Sequence, residues 1–110
     1  MRGRVTPLAI IVAGPDQARL ESALRLAAAQ AALGGAVTVF LDSPAVALLA
    51  SESEVGALLD TCHALGGTVM LCQTGLAEAG LRADALDPRF TYGGMVGFLA
   101  ASENARLVLA

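Results

Sequence analysis

Short apolar segments rich in β-branched residues alternate along this chain with stretches whose apolar residues recur every three or four positions, and glycines stand at the joints. Pro7 to Ala13 (PLAIIVA) reads as a first strand, apolar along its whole length and so buried on both faces. Gly14-Pro15 closes it, and Asp16 is placed to cap a helix. In that helix Leu20, Ala23, Leu24, Ala27 and Ala31 share one face, while Arg19, Glu21, Ser22, Arg25 and Gln30 fall largely elsewhere. Gly34-Gly35 ends it. Ala36 to Leu41 (AVTVFL) is a second strand, and Asp42-Ser43-Pro44 turns the chain into a short helix rich in alanine and leucine. Ser51 to Ser53 then punctuates.

From Glu54 to Leu65 the positions Val55, Leu58, Leu59, Cys62 and Leu65 repeat at helical spacing, with Asp60 and His63 off the stripe. Gly66-Gly67 ends this helix and Thr68 to Cys72 (TVMLC) is a third strand. Gln73-Thr74-Gly75 opens a short helix that stops at Gly80. After a loop holding Asp87-Pro88, Phe90 to Tyr92 forms a short strand. Gly93-Gly94 opens a helix with Met95, Phe98, Leu99 and Ser102 on one face, and Arg106 to Leu109 closes the series as a strand. Strands alternating with helices need crossover connections, which are right-handed and lay helices on a parallel sheet. The fold class this predicts is α/β: a three-layer α/β/α sandwich around a mainly parallel sheet of about five strands, with residues 1–110 forming one domain.

The apolar share of 55% is high for a chain of 110 residues, so part of it is expected on the outside, where contiguous apolar surface marks an association site. The expectation is a homo-oligomer. Seven basic groups, all arginine, stand against ten acidic ones, and neither sign forms a run, which argues against nucleic acid and acidic membranes as partners. No apolar run reaches the ~18 residues of a membrane-spanning helix. The opening Met1-Arg2-Gly3-Arg4 and the apolar run after it have the look of a signal peptide, but the run ends at Gly14-Pro15 before an amphipathic helix, as a buried first strand does. Two cysteines ten residues apart, with no CxxC pair, fit a reducing, cytoplasmic setting. With one histidine and two cysteines, the chain has too few soft ligands for a structural zinc site.

In open parallel sheets, reactive groups gather beyond the carboxyl ends of the strands. Three turns are therefore the candidates: Val12 to Asp16 with Gly14 after the first strand, Leu41-Asp42-Ser43 after the second, and Cys72-Gln73-Thr74-Gly75 after the third. A thiol at the junction of strand and helix meets exposed backbone N–H groups, which favours its thiolate. The other reading of Cys72 is a small apolar residue finishing a buried strand. Cys62 lies on an apolar stripe and reads as core, His63 beside it as solvent-facing or capping, and Asp42 as a helix-start residue. Arg89 and Tyr92 are placed near the same edge. Gly14-Pro15-Asp16 belongs to neither phosphate-binding glycine pattern.

Thr68-Val69-Met70-Leu71-Cys72-Gln73-Thr74-Gly75-Leu76 through Gly80-Leu81, then Phe90-Thr91-Tyr92-Gly93-Gly94-Met95 and the closing Arg106-Leu107-Val108-Leu109, together with Gly14-Pro15 after the opening strand, resemble the DsrE/DsrF-like family with its TusD-type sulfur-relay subunits. The likeness spans nearly the whole chain. It implies the α/β/α sandwich reached above and matches Cys72 to the cysteine that carries persulfide sulfur in the relay members. It further implies assembly of copies into trimers or hexamers, donor and acceptor proteins for sulfur, and no metal or organic cofactor. Gln73-Thr74-Gly75 departs from the alanine-rich segment of the TusD-type subunits, and members lacking the cysteine exist. Three functions stay open: a sulfur carrier acting through an exposed Cys72 thiolate, a non-catalytic oligomeric binding or assembly module with Cys72 structural, and a thiol redox sensor in which Cys72 is oxidised to sulfenic acid.

Overall fold

In the computed structural model of the protein, which describes residues 5–50 and 55–110, five strands of the described residues form one all-parallel sheet. They are β1 (Leu8–Val12), β2 (Val37–Leu41), β3 (Thr68–Cys72), β4 (Thr91–Gly93) and β5 (Arg106–Leu109), in the order β4-β3-β2-β1-β5. The register sets Val12 beside Leu41, Leu41 beside Leu71, Cys72 beside Gly93 and Leu8 beside Arg106. The helices are α1 (Gln17–Ala32), α2 (Ser43–Val46), α3 (Val55–Ala64), α4 (Gln73–Glu78) and α5 (Met95–Ala101), with 3₁₀ turns at Ala47–Ala50 and Ala83–Ala85. The Ser51–Ser53 punctuation, Glu54 and Met1–Arg4 lie outside the described residues.

Strand order fixes the layers. From β1 to β4 each new strand is added on the same side, so right-handed crossovers place α1, α3 and α4 on one face. The return from β4 to β5 crosses the other face and carries α5, seated by Phe98 stacked on Phe40 of β2 with ring centroids 5.2 Å apart. Paired residues on neighbouring strands point to the same side, so Ala9, Ile11, Phe40, Leu107 and Leu109 face α5, and Leu8, Ile10, Val39, Leu71 and Val108 face α1 and α3. The two faces are not equally covered. α1 is sixteen residues long and buries Leu20, Ala23, Leu24 and Ala27, whereas α5 has seven residues and buries Phe98.

Several expectations shift. The short strand runs Thr91–Gly93 rather than Phe90–Tyr92, because Gly93 pairs with Cys72. Leu65 is 45% exposed, lying past the last turn of α3, and Leu99 of α5 is 43% exposed. His63 is only partly exposed: its Nε2 is buried, and its ring stands edge-on to Phe90 at 5.2 Å.

Candidate functional site

β2 and β3 are neighbours, so the turns leaving their carboxyl ends lie side by side. Asp42 caps α2, its Oδ1 accepting the Ser43 N–H at 2.9 Å, and the backbone N–H groups of Ala45 and Val46 donate to its carbonyl. This cap makes Ser43 the first residue of α2 and sets its hydroxyl 3.3 Å from the sulfur of Cys72, the residue that ends β3 and caps α4. Gly75, one turn into α4, completes the arrangement. A Cβ there would lie 2.6 Å from the Ser43 Cα and 3.2 Å from Val46 Cγ2, so the missing side chain lets α2 press against α4.

Cys72 is 9% exposed and belongs to the hydrophobic core. That corrects the open thiolate which the sulfur-carrier reading expects: Cys72 is buried, with the Ser43 hydroxyl beside its sulfur. Nor does Cys72, though it stands at the helix cap, receive a backbone hydrogen bond on its sulfur. Gln73 and Thr74 follow it at the start of α4 and are exposed. Gly14 follows β1, two strand spacings or roughly 10 Å from the β3 edge, in open space. The structure thus joins Cys72 to the turn after β2 but leaves Gly14 apart, and Asp42 is occupied as a cap. Chemically the pair is a thiol and a hydroxyl, either of which can donate to the other.

A second polar cluster lies at the opposite, amino end of β4. Arg89 is held by Asp87 and Asp60, each at 2.7 Å, beside His63, and these groups with Leu59, Gly56 and Phe90 line a cavity of about 360 Å³. The Arg89 hydrogen bonds hold the Asp87 carboxyl far below the usual carboxylate range, and both carboxylates push the guanidinium up. Burial, followed by the charge of Arg89, lowers His63, while Asp87 and Asp60 oppose the shift. Burial raises the Cys62 thiol and the Tyr92 phenol, whose Oη has no hydrogen-bond partner among the described residues. No group of three or more His, Cys, Asp or Glu side chains among the described residues could hold a metal ion.

Sequence reasoning placed Ser43 and Gly75 in the candidate turns but did not join Ser43 to Cys72 or give Gly75 its packing role. The signal for Ser43 was its place after the second strand, which becomes informative only once β2 and β3 are known to be adjacent.

No protein-family model matches the chain, and no curated protein matches it. Solved structures do. The YchN protein of E. coli superimposes with a TM-score of 0.75 at 23% identity, covering 94% of this chain and 97% of its own. The protein of unknown function MTH1491 from Methanobacterium thermoautotrophicum gives 0.79 at 16% identity, covering 96% and 99%. The conserved protein of unknown function BT1422 from Bacteroides thetaiotaomicron gives 0.73 at 14% identity, covering 93% and 94%. The chain shares their fold.

Proposed function

We propose that the protein is an oligomeric assembly module of the DsrE-like type, in which copies of the chain close over the thinly covered face of the sheet and Cys72 serves as a packed strand residue. The observation that carries this reading is the apolar surface on the α5 side: Val96, Leu99, Leu107 and Leu109 are 84%, 43%, 55% and 73% exposed. Each such side chain gains about 1.5–3 kcal/mol on full burial, so a face of this kind favours a second copy over water. The family resemblance supports a trimer or hexamer. Light scattering after size exclusion tests it: the wild type elutes at three or six times 11.1 kDa, and Val96→Glu with Leu109→Glu gives the monomer. A wild type that runs at 11.1 kDa overturns the reading.

One observation favours a second reading, a sulfur carrier: Cys72 stands at a strand–helix junction with the Ser43 hydroxyl 3.3 Å from its sulfur. In that chemistry the Cys72 thiolate attacks the outer sulfur of a donor persulfide, the donor S–S bond breaks, and the donor leaves as a thiolate, which conserves charge and leaves a persulfide on Cys72. Passing the sulfur to an acceptor thiolate reverses the step. The buried Cys72 must become more accessible for it. Intact mass after incubation with polysulfide or a charged cysteine desulfurase decides. One added sulfur that survives Cys62→Ser and vanishes in Cys72→Ser establishes the carrier, and no adduct leaves Cys72 structural.

A further inference from the structure

β5 divides two surfaces. Leu107 and Leu109 point to the α5 side, and Arg106 and Val108 to the α1 side, where a cleft of about 430 Å³ opens between the end of the sheet and the helix. Its walls are Leu8, Leu26, Val5 and Val108, which are apolar and only partly covered. Leu26, on an outward turn of α1, is 42% exposed.

The wall toward the start of β1 is fixed in place. The Gln30 amide of α1 donates to the carbonyls of Thr6 at 2.7 Å and Ala36 at 3.3 Å, tying the helix to the segments that enter β1 and β2. Gly35 makes room for this, since a Cβ there would run into the Gln30 amide and sit 2.7 Å from Val5 Cγ1. The cleft therefore needs no rearrangement to exist. At its mouth stands Arg106, whose backbone N–H is committed to the Pro7 carbonyl at 2.8 Å while its guanidinium pairs with no carboxylate among the described residues.

We propose that this cleft binds a small amphipathic carboxylate, its hydrocarbon along Leu8, Leu26 and Val108 and its carboxylate on Arg106. The size lies within the range of small-molecule pockets, ~300–1,000 Å³, and the lining has their character, apolar walls with one charged group that fixes orientation. A planar carboxylate matches the two-pronged guanidinium and carries one charge against its one, whereas a phosphate dianion leaves a charge uncompensated. A cationic ligand meets the wrong sign. The site does not depend on oligomerisation, because it lies on the opposite side of β5 from Leu107 and Leu109.

Calorimetric titration of the full chain with sodium decanoate and decyltrimethylammonium below their micellar range, and with decan-1-ol below its solubility limit, tests the assignment. Decanoate binds at least about tenfold tighter than the alcohol, as a charge-assisted hydrogen bond requires, and the cation does not bind. Arg106→Gln brings decanoate down to the level of the alcohol. Leu26→Asp, at an exposed helix position that the fold tolerates, removes binding, and Leu33→Asp at the C-cap of the same helix, outside the cleft, leaves it unchanged. Failure of decanoate to bind, equal affinity for acid and alcohol, or indifference to Arg106→Gln overturns the proposal.

Discussion

Burial and neighbouring charge set the residue-scale chemistry of His63, Asp87 and the two cysteines. Burial lowers the proton affinity of His63 below that of a free imidazole, the Arg89 charge adds to this, and the Nε2 has no partner to receive an added proton's hydrogen bond. The unfolded chain then holds that proton more tightly than the folded one. The stability His63 contributes is complete above its free value of 6.5 and is lost as pH falls below it. Asp87 works in a separate window, because its lowered carboxyl value keeps its contribution intact until pH falls below 3.8. Thermal melts from pH 8 to pH 5 therefore show a decline that His63→Gln abolishes, and a decline of equal size in that variant refutes the assignment. The cysteines differ in the same spirit. With Cys62 fully buried and its thiol raised by burial, and Cys72 9% exposed under Ser43, a small methanethiosulfonate labels Cys72 alone in the folded protein. Peptide mass mapping checks this, Cys62 appearing only in urea.

The α2–α4 contact is the element-scale feature that decides whether Cys72 stays covered. Gly75→Ala drives a methyl into the Ser43 backbone and Val46, an overpacking that costs about 1–3 kcal/mol, and it raises the Cys72 labelling rate by parting the two helices. Gly97→Ala is the matched control. It sits inside α5 with open space around it, so the substitution stabilises by about 0.5–1 kcal/mol. Urea melts separate the two signs. The same contrast explains what was legible beforehand. β3 falls where its apolar run begins and ends, because a parallel strand in the middle of the sheet is apolar on both sides, and β5 does so although it is an edge strand with Leu107 and Leu109 exposed, since Arg106 marks its start. β4 is displaced by one residue, since a glycine gives no strand signal and Gly93 is held by its pairing with Cys72. Cys72 was legible as a strand end. Its partner was not: Ser43 stands 29 residues away and meets it only through the β2–β3 register, which no local pattern encodes. The exposure of Leu99 was equally hidden, because helical spacing names the apolar face of a helix and not whether anything lies against it.

For the whole molecule, the decisive property is the asymmetry between the two faces of the sheet. Three successive crossovers in one direction put α1, α3 and α4 on one side, and the long return to β5 leaves the other to a helix of seven residues. The apolar excess read from composition therefore has an address, on α5 and on the outer strand β5, whose far edge is also unpaired among the described residues. If that face is closed by further copies of the chain, folding and assembly share one free energy, and the melting temperature rises with protein concentration. Scanning calorimetry across a hundredfold dilution series measures this directly. Val96→Glu with Leu109→Glu abolishes the dependence, and because both side chains are mostly exposed in the single chain, the variant's melt matches that of the wild type at its lowest concentration. A wild-type midpoint that stays constant over the series means that the apolar face meets water, and the assembly reading falls with it.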